Sequence, residues 1–167
     1  MDELKPIEPA TQTDDGLYER DFHAWTRDRA ERLRRRTDDA LDWANIAEEI
    51  ESLGRNNRNE IRNRLRMLLI HLLKWSYQPE RRSHSWQTTI SEQRSHIEGL
   101  IEDSPSLSAV PAERYEWAWR AARRSAAAET GLPLATFPEM PAFDVSDTLH
   151  PDFMPGKPWS PDDLSRG

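Results

Sequence analysis

An all-α fold, a bundle of about four helices built on one long central helix with a proline-rich C-terminal arm wrapped around it, follows from three observations. No stretch alternates apolar and polar residues with period two, and valine occurs only at Val110 and Val145. Apolar residues instead recur in steps of three and four through four successive segments, the spacing that puts them on one helix face. The breaks between those segments carry the residues that stop or start helices: Thr37-Asp38-Asp39, Pro79, Ser104-Pro105 and Gly131 with Pro133.

The first segment is "YERDFHAWTRDRAERLRRR", in which Phe22, Trp25, Ala30 and Leu33 mark an inward face and arginines cover the rest. After the break at Thr37, Asp42 suits an N-cap and Leu41 a hydrophobic staple. The stripe Trp43, Ile46, Ile50, Leu53, Asn57, Ile61, Leu65, Leu68, Leu72, Trp75 then predicts one helix of about 50 Å. Gly54 stands in its middle and costs about 1 kcal/mol relative to alanine. Met67, Leu69, Ile70 and Leu73 make the second half apolar all round, as in a helix surrounded by others. Pro79 ends it. Trp86, Ile90, Ile97 and Ile101 define a third helix, closing near Asp103-Ser104-Pro105. Pro111 suits the first turn of a fourth, with Tyr115, Ala118, Trp119, Ala122 and Ala126 inward and Gly131 as its stop.

Seven of the twelve prolines fall between Pro133 and Pro161, among Leu134, Phe137, Met140, Phe143, Leu149, Phe153 and Trp159. That is too many large apolar groups for a disordered tail. The organisation read from this is an acidic N-terminal extension over 1–17, a helical bundle over 18–131, an arm packed on it over 132–160, carrying a short helix capped by Asp144, and a disordered tail over 161–167.

"DFHAWTRDRAERLR", "LDWANIAEEIESLGR", "LLIHLLKWSYQPERRSHSWQTTISEQRSHIEGLIEDSPSL" and "ETGLPLATFPEMPAF", in that order, resemble the bacterial family called domain of unknown function 29, over about residues 18–158. The resemblance implies an all-helical fold and a bacterial host. It implies no activity and no functional residues.

Composition excludes several chemistries. With no cysteine there are no disulfides, thiolate nucleophiles or cysteine zinc sites, and a reducing cytoplasm is the expected setting. The acidic N-terminus lacks the apolar stretch of a secretory signal. The longest apolar run, Met67 to Leu73, is broken by His71 and falls far short of the roughly 20 residues of a membrane span. Six scattered glycines make no phosphate loop, G-x-S-x-G is absent, and no histidine is followed by glutamate, so the common nucleotide, esterase and zinc-protease motifs are missing. A site of His71, His84 and His96 fails on geometry. His84 and His96 lie about 18 Å apart on one helix, whereas one ion binds at about 2.1 Å. No catalytic residue, metal or cofactor is expected.

The net charge of −7 hides a mildly basic body between acidic ends. From Gly54 to Arg82 eight cations face only Glu60 and Glu80. Arg55, Arg58, Arg62 and Arg66 form a ladder whose natural partners are Asp28 and Glu31; the alternative is a face for phosphates. Arg81, Arg82 and His84 around Ser83, beside a helix N-terminus, suit an anion or an acidic partner, on a corner that Trp75, Tyr77, Pro79 and Trp86 explain structurally. Trp117 turns outward among Arg114, Arg120 and Arg124, either covered by the arm or serving as an interface anchor. Glu49 and Arg94 are expected to pair across a helix interface, and His71 to be hydrogen-bonded within the central helix. The functional expectation is a non-catalytic interaction module that binds a protein partner or itself, in the cytoplasm and off the membrane. The alternatives are a sequence-independent RNA or DNA backbone binder using Arg58, Arg62, Arg66, Arg81 and Arg82, and a metal-dependent hydrolase around His71 and Glu49.

Overall fold

The computed structural model describes residues 16–35 and 43–156, which are helical without any strand. The helices are α1 (Leu17–Arg20), α2 (Phe22–Arg34), α3 (Trp43–Tyr77), α4 (His84–Asp103), α5 (Val110–Thr130) and α6 (Val145–Leu149). Asp21 separates α1 from α2 in a non-helical conformation and caps α2 by accepting from Ala24 N at 2.8 Å. Ser83 caps α4 through Trp86 N, and Asp144 caps α6 through Asp147 N. Pro111 sits in the first turn of α5, and Gly131 ends that helix at φ 73, in the left-handed region where a side chain is disfavoured. The break at Thr37–Asp39, the staple and cap read at Leu41 and Asp42, most of the acidic extension, Trp159 and the tail from 161 lie outside the described residues.

α3 runs unbroken for 35 residues, through Gly54. Its C-terminal half is the axis of the core: Ile61, Leu65, Leu68, Leu69, Ile70, Leu72, Leu73 and Trp75 are all buried. Ile90 and Ile97 of α4, Ala118, Trp119, Ala122 and Ala126 of α5, and Phe137 of the arm close around it. Each large side chain so buried contributes about 1.5–3 kcal/mol. Three pairs fix the direction of α5. Arg58–Glu113, Arg62–Trp117 and Lys74–Glu129 keep the same offset along both helices, so α5 runs parallel to α3. α4 returns antiparallel, with Lys74 over the Trp86 ring at one end and Arg64 donating to Gln93 farther along.

α2 packs on the other half of α3, also antiparallel, and here the sequence pattern misleads. The buried face of α2 is His23, Thr26 and Ala30, while Phe22, Trp25 and Leu33 are only half-buried. On α3 the matching face is Ala47 and Gly54, which leaves Ile46 37% and Leu53 49% exposed. The cause is close approach. A Cβ on Gly54 would collide with Thr26 Oγ1 and stand 3.0 Å from His23 Nδ1. Small and short polar residues let the two backbones come together, and the large apolar ones are displaced to the flanks.

Candidate functional site

The corner after α3 is more tightly built than a decorated turn. Arg82 donates from Nε to the Trp75 carbonyl at 2.9 Å, and its guanidinium lies 5.1 Å from the Trp75 ring centre. Ser83 spends its hydroxyl on the α4 cap. Arg81 and His84 remain exposed. The cluster read from the sequence therefore divides into two structural residues and two exposed ones that pair with no acid among the described residues.

The arginine ladder is largely occupied, but not by Asp28 and Glu31, which pair within α2 to Arg32 and Arg35. Arg55 reaches Glu48 at 2.7 Å, Arg58 reaches Glu113 at 2.6 Å, and Arg62 stacks 4.7 Å from the Trp117 ring centre. Asp28 and Glu31 are out of reach because α2 starts beside Gly54 and runs back toward Glu51, away from the ladder. Trp117 is likewise not covered by the arm. It stays 38% exposed, with Arg62 against its ring. Among the described ladder residues Arg66 makes no ion pair.

Glu48 and Glu51 are held by cations. Arg34 binds Glu51 at 2.6 Å and lies 3.6 Å from Glu48, and Arg55 bridges the same two acids, tying α2 to α3 along one flank of the hairpin. The Arg34 guanidinium holds the Glu51 carboxyl below its ordinary range. Glu49 is exposed and, among the described residues, pairs with no cation. The three histidines stay apart: the ring Nδ1 of His71 donates to Met67 O and that of His96 to Glu92 O, each within its own helix. Burial holds the His71 pKa below its ordinary value. No group of three potential metal ligands occurs among the described residues.

Arg94 does not pair with Glu49. Its side chain, on a residue only 6% exposed, is the bundle's main hold on the arm. Nε donates to Thr148 O, and the two terminal nitrogens to Pro151 O and Phe153 O, at 2.9, 3.0 and 2.7 Å. Desolvation brings its pKa down to about 10. Three more donors do the same work. Tyr115 reaches Phe143 O at 2.8 Å and shares a 2.6 Å bond with Thr148 Oγ1, Trp119 Nε1 reaches Pro138 O, and Arg123 Nε reaches Phe137 O. An irregular segment has no ladder to satisfy its carbonyls, and buried carbonyls need donors. The aromatic residues of the arm then seal the seat, with Phe143 edge-on to Trp119 and Phe137 edge-on to Tyr77. Sequence reading missed this role because any residue presents a carbonyl.

A second feature was missed. The lower end of α2 is tied to the turn between α4 and α5: Asp21 accepts from Ser106 Oγ at 2.8 Å, and His23 N donates to Ser104 Oγ. His23 Nδ1 donates to Gly54 O at 2.9 Å. That point is also where α4 ends, near Glu60, and where α5 begins, beside Arg58. Residues 43–53 of α3, about 16 Å of helix, therefore extend past both, and of the described helices it is α2 that lies along them. At about 100° per residue, Ile46 and Leu53 lie about 160° around α3 from Glu48 and Glu51, and Trp25 about 180° around α2 from Arg34. The apolar groups of both helices thus share the flank opposite the ion pairs. Tyr18, Phe22 and Trp25 form an aromatic trio there, with ring centres 5.0 to 5.8 Å apart.

A family model described as "Domain of unknown function DUF29" matches residues 17–154. No curated protein matches, and neither does any solved structure. No helix among the described residues is long and apolar enough to cross a membrane.

Proposed function

We propose, on the premise that this chain belongs to the DUF29 family, that it is a non-catalytic interaction module that binds protein through its helical surface, in a bacterial cytoplasm. The observation that carries this reading is the projecting α2–α3 hairpin. It leaves Tyr18, Ile46 and Leu53 exposed on a flank that no other described element covers. Isolated exposed apolar residues are ordinary, whereas a contiguous set on a projecting element marks a contact surface. The engagement of Arg55, Arg58 and Arg62 within the chain weighs against the phosphate-binding alternative, because each would have to leave a partner to meet a nucleic acid. The dispersal of His71 and Glu49, on a helix where they stand 22 positions apart, at about 33 Å of rise, weighs against a shared metal.

The test is capture by the immobilised full chain, wild type against Leu53→Glu, beside fluorescence anisotropy with labelled single-stranded RNA and duplex DNA over a salt series. The expected result is protein captured by the wild type and lost in the variant, with no nucleic-acid binding. Tight binding to RNA or DNA that weakens steeply with salt would overturn the reading.

A further inference from the structure

The geometry points to a second copy of this chain as the occupant of the apolar flank of the α2–α3 hairpin, making a two-fold dimer in which α2 of each copy lies on α3 of the other. This rests on the reading of the hairpin as a protein-binding surface and adds the partner's identity.

Three observations select a second copy. The first is that two helices side by side shelter only the seam between them. Here that seam is filled by Ala30, Ala47, Gly54, His23 and Thr26, all buried. The large groups that would normally form a core, Phe22, Trp25, Leu33, Ile46, Ile50 and Leu53, are instead half-buried or exposed. A two-helix layer with its apolar groups on one flank is half of a four-helix bundle, and a second such layer is the shape that completes it.

The second is charge. The α3 edge of the flank carries Glu49, which has no cation among the described residues and sits one turn from both Ile46 and Leu53. The α2 edge carries Arg29, beside the Trp25 ring, and Arg32, with Asp28 the only acid among the described residues paired to either. One edge is aliphatic and acidic, the other aromatic and basic. A two-fold contact is self-complementary, each patch meeting its counterpart on the same surface. Setting α2 of one copy on α3 of the other brings Arg29 and Arg32 to the partner's Glu49 twice, with the aromatic trio over Ile46 and Leu53.

The third is that the flank is held rigid from behind. Arg34, Glu48, Glu51 and Arg55 lock the opposite side of the hairpin, and Asp21 and His23 anchor its base to Ser106 and Ser104. A surface whose geometry is set before association pays less ordering cost on binding.

The experiment is sedimentation equilibrium on the full chain across a concentration series, for the wild type, Leu53→Glu, Glu49→Arg, Arg32→Glu and the double variant Glu49→Arg with Arg32→Glu. Circular dichroism checks each fold, and Trp117→Ala serves as an exposed aromatic control away from the flank. The wild type should reach a dimer. Leu53→Glu should weaken it at least about tenfold, each charge reversal should weaken it measurably, and the double reversal should recover part of the loss while Trp117→Ala has no effect. A wild type that stays monomeric up to its solubility limit overturns the proposal, as does a dimer whose dissociation constant Leu53→Glu leaves unchanged. A monomer that still captures a different protein through Leu53 would overturn the second copy and leave the proposed function standing.

Discussion

Replacing Gly54 by alanine separates two physical accounts of the long helix, because they differ in sign. Glycine inside a helix costs about 1 kcal/mol relative to alanine, so on helix propensity alone Gly54→Ala stabilises. The packing says otherwise. The new methyl would collide with Thr26 Oγ1 and stand 3.0 Å from His23 Nδ1, and relieving it means separating α2 from α3. Overfilling a packed contact costs about 1–3 kcal/mol, and losing the 2.9 Å bond from His23 to Gly54 O about another 1 kcal/mol. Set against the propensity gain, the net is a loss of about 1–3 kcal/mol. In a chain of this size each 1 kcal/mol moves the midpoint by about 2–4 °C. Thermal and urea unfolding followed by circular dichroism measure it. Thr26→Ala in the same background removes the atom in the way and should return part of the loss, a coupling above about 0.5 kcal/mol. If Gly54→Ala melts at or above the wild type, the close approach of α2 and α3 is wrong.

Arg94→Met should cost about 2–4 kcal/mol, because it strands buried carbonyls of the arm; Arg94→Lys should recover only part, as one ammonium cannot match the fork. Faster proteolysis in 144–154 with unchanged helix content would report the loosened arm, and undiminished stability would refute its anchoring. Stability should fall as pH drops below about 6.5, the ordinary imidazole value. Burial, then the nearby charges of Arg58 and Arg27, hold His23 below that value against the pull of Asp21 and its bond to Gly54, so the unfolded chain takes up the proton first. His23→Gln should flatten that slope in urea titrations at several pH values, and an unaltered slope would assign it elsewhere. At the corner, Arg82→Ala should cost about 1–2 kcal/mol through its lost bond and stacking. Arg81→Ala and His84→Ala should each stay within about 0.5 kcal/mol, and equal losses at all three would contradict the division seen there.

Helix boundaries were legible wherever a single residue's covalent chemistry decides them. Pro79 cannot continue a helix, Pro111 belongs in a first turn, and Gly131 takes the left-handed conformation at φ 73. Periodicity also located the core half of α3, because there neighbours surround the helix and the large apolar residues are inward, with Met67, 37% exposed, the departure from the all-round pattern. It failed at Ile46, Leu53, Phe22 and Trp25. Hydrophobic spacing assumes that large residues face the neighbour, whereas α2 and α3 meet through Gly54, Ala47 and Thr26, which the pattern counts as background. Charge partners were the least legible. Arg94 and Glu49 each border an apolar stripe, but pairing depends on how far one helix slides along another, which a helical wheel does not contain. The partners of Arg58 and Arg62 needed the parallel offset of α5 along α3. Those of Arg94 needed a backbone path through the arm.

The arm's mode of attachment bears on how such a chain changes over generations. Arg94, Tyr115, Trp119 and Arg123 grip mainly main-chain oxygens, an atom that every substitution preserves. Mutations at outward positions such as Glu139 and Met140, the latter 72% exposed, leave the grip untouched so long as the path of the chain is kept. Selection can therefore rewrite the outer surface of the arm while the scaffold stays constant, and drift there is the first divergence to expect between sequences that share this fold.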